Sequence, residues 1–169
     1  MLNLHSLDSF CSWLGATSTS QTLQTVGWII PAVQTIHILA VAAVVTSALM
    51  IDLRLLGVNR MRQSLAGVAR RFLPFVWWPL PILLLSGALL IIAEPARALE
   101  NPVFVLKMAL VVAAAGITLA CQIPLYRDPQ FWEVSTTRRS VARLIAVVSI
   151  PVWVAIICAG RWIAYAQGT

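Results

Sequence analysis

The stretch GWIIPAVQTIHILAVAAVVTSALMID, residues 27–52, decides the fold class of this chain. It holds no Asp, Glu, Lys or Arg before its last residue. About 20 apolar residues in a helix, rising about 1.5 Å each, cross the ~30 Å hydrocarbon core of a bilayer. The stretch therefore predicts a membrane-spanning helix that begins near Trp28 and Pro31 and is closed by the charged side chains of Asp52 and Arg54.

Three further apolar runs have a similar length and cover residues 75–93, 103–123 and 144–163. The connections between the runs are too short to fold by themselves. The sequence therefore predicts an all-α integral membrane four-helix bundle in which residues 1–169 form a single membrane domain. Pro79 and Pro81 predict a bend where the second span begins, and Pro151 predicts a kink inside the fourth span.

The composition excludes a water-soluble domain. Of the 169 residues, 60% are hydrophobic and only 11% are charged, and the mean hydropathy is +0.87. Soluble chains average about 25% charged residues, so this chain has less than half the usual means of wetting a surface. The composition also excludes intrinsic disorder, and three cysteines are too few for a disulfide-stapled secreted module.

The net charge of +6 comes from basic residues that lie beside the apolar runs. Nine arginines fall in or at the edges of two polar connections: Arg54, Arg60, Arg62, Arg70, Arg71, Arg127, Arg138, Arg139 and Arg143. This is the positive-inside pattern, and it predicts that both chain termini lie outside the cytoplasm, an N-out/C-out topology. No basic stripe interleaved with aromatic residues is present, which argues against nucleic-acid binding.

The residues before the first span carry a weaker pattern. Leu4, Leu7, Phe10 and Trp13 recur at intervals of three residues, which predicts a short amphipathic helix on the outer membrane surface. A frayed terminus is the alternative interpretation. The absence of a basic segment before the first span argues against a cleaved signal peptide.

Polar residues inside the spans are the candidate functional residues, because an unpaired polar group in hydrocarbon costs several kcal/mol. His37 lies about 13 Å below the outer interface, counted from Trp28 at about 1.5 Å per residue, and shares a helix face with Gln34 and Asp52. Lys107 lies one to two turns inside the third span, on a helix face that it shares with Cys121 and Gln122 and that we expect to turn inward. Arg161 closes the fourth span. The sequence predicts that His37, Lys107 and Arg161 converge in the outer half of the bundle.

A lone histidine inside a membrane has four candidate roles: haem or copper ligation, hydrogen bonding to a quinone, proton transfer, or a structural hydrogen bond between helices. Haem b ligation would need His37 together with Met108, Met50 or His5, a five-coordinate iron, or a second His37 from a two-fold dimer. Copper would need soft ligands, which here are Met50, Met108, Cys121 and Cys158. No motif for hydrolysis or nucleotide binding occurs, so the sequence singles out no catalytic residue and leaves open whether the chain is an enzyme.

Several short motifs carry a resemblance to a known group of proteins. They are His37, DLRLLG at residues 52–57, the segment from Asn101-Pro102 to Lys107, and GRWIAY at residues 160–165. From Trp28 onward the chain resembles an uncharacterised bacterial family of four-helix membrane proteins, which is similar to the cytochrome b561-like and copper-resistance-D-like membrane proteins. Where many relatives have a further histidine in the third helix, this chain has Cys121-Gln122. The resemblance implies a multi-pass protein of the bacterial inner membrane with a redox or metal-binding role.

These observations lead to three functional expectations. The first is a small redox-associated subunit that binds haem b or a quinone at a site made by His37, Lys107, Arg161, Gln34 and Met108, with His37 as the metal ligand if a metal is held. The second is a non-catalytic anchor or assembly subunit, in contact with lipid and with a larger membrane complex or further copies of itself. The third is a metal or proton transporter. In all three, Asp52 and Arg54 are interpreted as structural residues that tie the first helix to Arg70, Arg71 or Glu133.

Overall fold

The computed structural model describes residues 4–58 and 64–163, and within these ranges the chain is all-α. Its helices are α1 (Leu4–Gly15), α2 (Ser18–Thr25), α3 (Ile29–Leu56), α4 (Leu65–Trp77), α5 (Pro79–Ala93), α6 (Pro95–Leu99), α7 (Pro102–Arg127) and α8 (Thr136–Trp162). Four segments are long and apolar enough to cross a membrane: Ile29–Leu56, Leu65–Ala93, Pro102–Arg127 and Thr136–Trp162. Several residues used in the sequence predictions lie outside the described residues or side chains: Leu4, His5, Leu7, Arg60, Arg62, Ala164 and Tyr165.

The helices extend beyond the predicted apolar runs at the arginine-rich end of the bundle, which we call the inner end. A charged side chain ends a hydrophobic run, but a helix ends where its backbone is capped. α3 is capped by Gly57, the residue after its last helical position, and the φ of 76° at Gly57 is a left-handed conformation that favours glycine. α4 and α8 begin at caps in which Ser64 and Ser135 accept hydrogen bonds from the backbone N–H groups of Gly67 and Arg138. Apolar runs therefore locate the spans but not the helix ends.

The second span is divided into two helices at Trp78, next to the predicted bend. α4 ends at Trp77 and α5 begins at Pro79, so prolines occupy the first turn of α5, where a missing N–H leaves no helical bond unmade. α8, in contrast, continues as a helix through Pro151.

The central helix of the bundle is α3, which packs against α4, α5 and α8, while α7 packs mainly against α8. Among the described residues, α5 and α7 have at most marginal contact. One core cluster, in the middle of the bundle, includes Val44, Ala114 and Trp153. A second cluster, towards the inner end, includes Cys121 and Ala146. α3 and α8 therefore make the main helix–helix contacts of the bundle, and the backbones of α5 and α7 are not closely packed against each other.

An ion pair at the inner end ties α3 to the segment between α7 and α8. Arg54 donates to the Glu133 carboxylate at 3.1 Å, and the backbone N–H of Leu65 lies 3.4 Å from the same oxygen. The structural interpretation of Arg54 thus agrees with this contact. Asp52 does not join the ion pair but is buried inside the bundle, hydrogen-bonded to Ser149.

The outer end carries a cap made of α1, α2 and α6. The Gln24 side chain donates to the backbone carbonyl of Ala93 at 2.7 Å, and this bond fixes α2 to the end of α5. The Cys11 side chain on α1 is 4% exposed and interacts with Glu100, which follows α6. Burial raises the pKa of the Cys11 thiol, and the Glu100 carboxylate raises it further. Contact of this cap with a membrane surface stays a prediction.

The Cys11–Glu100 contact predicts an effect on thiol reactivity. Glu100→Gln removes a negative charge that disfavours the thiolate, so the pKa of Cys11 should fall and its alkylation by N-ethylmaleimide at neutral pH should become several-fold faster. Peptide mass spectrometry over a time course measures this rate for Cys11 alone. Asp128→Asn, a matched loss of charge at the inner end, should leave the rate unchanged. An unchanged rate in Glu100→Gln would show that α1 does not lie against Glu100.

Candidate functional site

The His37 side chain lies between α3 and α5, where it meets the one polar side chain of α5. Its Nδ1 is 2.7 Å from the Ser86 hydroxyl oxygen, and that oxygen is 2.6 Å from the carbonyl of Ile82. A carbonyl only accepts, so Ser86 must use its single proton to bond with Ile82. His37 therefore donates its Nδ1 proton to Ser86, which makes Nε2 the unprotonated nitrogen of the neutral ring.

Nε2 of His37 makes no hydrogen bond to any residue that the structure describes. A fixed Nδ1–H bond that leaves Nε2 with a lone pair is the usual arrangement of a histidine that serves as a base or a ligand. Gly87 follows Ser86, and a Cβ built on it would lie 3.6 Å from Cε1 of His37. Ser86 thus gives the imidazole ring a hydrogen-bond partner, and Gly87, which has no side chain, leaves room beside the ring. A lone serine next to a glycine in an otherwise apolar span was a signal that sequence reasoning missed.

The Lys107 side chain lies in the same half of the bundle. It is half-buried over Gly160 of α8, where a Cβ would be 3.7 Å from the Lys107 Nζ. No carboxylate lies within 4.0 Å of this ammonium group, and it has no hydrogen bond, within the two described ranges. His37 Nε2 and the Lys107 ammonium group therefore each have no hydrogen-bond partner among the described residues. The convergence of His37, Lys107 and Arg161 on one site stays a prediction.

Two features lie near this site. The first is the side between α5 and α7, where the two backbones have at most marginal contact among the described residues. The second is an open cleft of about 650 Å³ at the outer end, lined in part by Gln24, Ile30 and Ala93. Ile30 precedes His37 by seven residues and Ala93 follows Ser86 by seven, so the cleft lies about 10 Å outward of the His37–Ser86 pair. The site lies near both lipid and the outer end.

Three other residues of the predicted site are not brought into contact with His37. Gln34 is exposed, because its position three residues before His37 is rotated by about 60° on the helix. Met108 follows Lys107 by one residue and is 41% exposed on the outside of α7. Arg161 is exposed at the outer end of α8, next to the glycine that Lys107 covers, and has interactions of its own.

The inner half holds a buried polar cluster, defined here as Asp52, Ser149, Gln122 and Cys121. Each of the four side chains is at most 8% exposed. Trp77 donates its indole N–H to the Gln122 amide oxygen at 2.8 Å, and this bond links α4 to α7. Sequence reasoning placed Cys121 and Gln122 on the inward face of the third span but took Asp52 for an interfacial residue, because a charge at the end of an apolar run looks the same in both cases.

The donor atoms present were compared with what a metal or a haem would need. Within the described ranges, no group of three or more His, Cys, Asp or Glu side chains comes together. Cys121 is in the inner cluster with Asp52, which is 15 residues or about 22 Å along α3 from His37. His37 would thus supply one ligand to a haem iron, and Met108, 41% exposed on α7, is not shown in contact with it. These residues do not complete a copper site or a six-coordinate haem site within one chain.

Comparison with known proteins assigns a family but no activity. Neither a curated protein nor a solved structure matches this chain. The relationship to cytochrome b561-like and copper-resistance-D-like proteins therefore stays a prediction. Residues 9–166, which include α3 to α8 and the site around His37, match a family of unknown function, and the chain belongs to this family, DUF6644.

Proposed function

We propose that this chain is a small redox-associated membrane subunit that binds a quinol in the outer half of the bundle. One observation carries the proposal. His37 Nε2, an acceptor, and Lys107 Nζ, a cationic donor, both lie in the outer half and have no polar partner among the described residues. Unpaired polar groups inside a membrane are costly, so a bound polar molecule that satisfies both would stabilise the bundle.

A quinol head group has the matching chemistry. Its ring is apolar, one hydroxyl can donate to His37 Nε2, and an oxygen can accept from the Lys107 ammonium. The locked tautomer supports the reduced form over the oxidised form, because a quinone carbonyl has no proton to give to Nε2. His37 would then serve as the base for one of the two protons that the quinol releases when its two electrons pass to a redox partner protein, and the second proton would leave from the other hydroxyl to solvent.

The route to the site favours a ligand that is dissolved in the membrane. A quinol moves within the hydrocarbon, and we propose that it enters between α5 and α7, whose backbones have at most marginal contact among the described residues. Haem would require a second axial ligand, which the described side chains do not bring to His37 within one chain, or a five-coordinate iron. Quinol binding needs only a few well-placed polar groups in an apolar site.

The arginines support a cytoplasmic inner end. Seven of the nine arginines used for the topology are among the described residues, and all seven lie at the inner ends of α3, α4, α7 and α8 or in their connections: Arg54, Arg70, Arg71, Arg127, Arg138, Arg139 and Arg143. By the positive-inside rule, both chain termini and the His37 site then lie towards the outside of a bacterial inner membrane.

The experiment that tests this function is an analysis of the detergent-purified protein. Its extracted lipids are assayed for quinones, and oxidised and dithionite-reduced absorption spectra, haem extraction and a metal count are recorded on the same sample. We expect quinone to be enriched over the level in an unrelated membrane protein that is purified identically, without a haem spectrum. A reduced haem band that is lost in His37→Ala would contradict quinol binding and would identify haem as the ligand of the site. A sample without quinone, haem or metal would contradict a redox role.

A second candidate function, an anchor or assembly subunit, is favoured by Gln34. This amide is exposed on α3 inside the span, where lipid offers it no hydrogen bond. A helix of a larger membrane complex, or of a second copy, could satisfy it. Co-purification of a stoichiometric partner that dissociates when Gln34 is replaced by leucine would support this role, and a monodisperse single chain that binds quinol would contradict it.

A further inference from the structure

The buried polar cluster of the inner half contains the Asp52 carboxyl group, which has an oxygen without a hydrogen bond among the described residues. Asp52 is 5% exposed, and Ser149 donates to its carboxyl group. The second oxygen, Oδ2, is fully buried and has no hydrogen-bond partner in the part of the chain that the structure describes. Buried polar atoms without a partner are rare, and each points to a proton, a water molecule or a ligand.

Asp52 lines a cavity of about 20 Å³ between α3, α4, α7 and α8. A cavity needs roughly 10–15 Å³ to hold one water molecule, so this cavity has room for one but not for an organic ligand. Its other polar lining residues are Thr118, Cys121, Gln122 and Ser149. A water molecule there would have oxygen partners and could bond to Oδ2.

Among the described residues, 4–58 and 64–163, no basic side chain lines the cavity to neutralise a carboxylate. On α3, the nearest cation is Arg54, which pairs with Glu133. On α4 and α8, Arg70 and Arg143 are exposed and outside the cavity lining. α7 contributes Cys121 as its titratable group. An isolated carboxylate in such surroundings is strongly disfavoured, so its charge must be removed in another way.

A bound metal cation fits the cavity poorly. Hard cations take about six or more oxygen ligands, whereas the lining offers few oxygens that are not engaged. The Gln122 oxygen already accepts from Trp77, and the Thr118 hydroxyl already donates to the carbonyl of Ala114 at 2.9 Å. A proton needs only one oxygen, and Oδ2 is available.

We propose that Asp52 is a proton-binding carboxyl of the inner half and that one water molecule in its cavity connects it to the inner end for proton exchange. Asp52 is four residues, about 6 Å, from the last residue of α3 at the inner end. In the outward direction, the buried α3 side chains next to it are Val44, Val45, Ala48 and the polar Ser47, and His37 lies about 22 Å away along the helix. The proton site is therefore separate from the His37 site and does not depend on quinol binding.

Infrared difference spectroscopy tests this proposal on the full-length protein in lipid. At neutral pH we expect a C=O stretching band of a protonated carboxylic acid that shifts in D₂O, disappears in Asp52→Asn, and decreases at alkaline pH. Ser149→Ala should keep the band but move it, because the Ser149 hydroxyl bonds to the same group. Glu133→Gln, which alters a carboxylate in the inner-end ion pair, should leave it in place.

Two further results distinguish a bound proton from a bound metal cation. The parent protein should lose thermal stability as the pH rises, because a folded state that binds more protons than the unfolded state is destabilised by alkali. The Asp52→Asn protein should not show this loss. A band that persists in Asp52→Asn, or that shows no D₂O shift, would overturn the proposal. Loss of the band on addition of sodium at constant pH would also overturn it and would identify the ligand as a metal cation.

Discussion

A His37→Ala protein should bind a short-chain quinol about tenfold more weakly than the parent. The substitution removes the Nε2 acceptor and leaves the Lys107 ammonium as the charged donor of the site. Loss of one hydrogen bond of roughly 1.4 kcal/mol in a dry site corresponds to a tenfold change in Kd. Titration of the protein under anaerobic conditions, followed by quenching of tryptophan fluorescence, measures this change.

Three variants show whether the effect belongs to the site. Thr35→Ala replaces an exposed side chain that bonds to its own helix at Pro31, so affinity should be unchanged. Gly87→Ala should be tolerated, because the new methyl group meets His37 at an ordinary contact distance of 3.6 Å. Gly87→Leu should weaken binding as much as His37→Ala does. Parent-like affinity in both His37→Ala and Gly87→Leu would mean that quinol does not bind between α3 and α5.

Ala146→Leu should lower the free energy of unfolding by about 2 kcal/mol, because it forces extra carbon atoms into a filled core. Ala146 is 0% exposed, and its cluster joins α3, α4, α7 and α8 near the inner end. Unfolding by SDS in mixed micelles, followed by tryptophan fluorescence, gives the value. Ala113→Leu makes the same change at an exposed position on α7 and should cost little. Equal stabilities for the two variants would contradict the packing of α8 in the inner half.

The periodicity of the sequence was sufficient to predict the inward faces of the long helices. Cys121 and Gln122 are buried on the predicted face of α7, and Lys107 lies half-buried on it. This works because a helix in a bundle turns a fixed side to its neighbours, so burial follows the period of 3.6 residues. The same argument is weak at the margin of the face, and Gln34 was assigned to the site although its side chain is exposed.

Contacts between helices could not be predicted, because they depend on which helix lies beside which and at what height. Ser86 bonds to His37 across 49 positions of sequence, and Ser149 bonds to Asp52 across 97. A serine in a span can bond to its own backbone, so its presence alone does not reveal a partner. The tautomer of His37 and the burial of Asp52 both follow from these contacts, and hence neither was accessible from the sequence.

The central claim is that His37 keeps a proton on Nδ1 and presents a bare Nε2 to a quinol. The chain has two histidines, so a His5→Gln variant labelled with ¹⁵N-histidine reports on His37 alone in solid-state NMR in lipid. The account predicts a protonated Nδ1 and an unprotonated Nε2, and on addition of quinol a shift of the Nε2 resonance with Nδ1 nearly unchanged. A proton on Nε2 in the free protein, or an Nε2 resonance that does not respond to quinol, would contradict it.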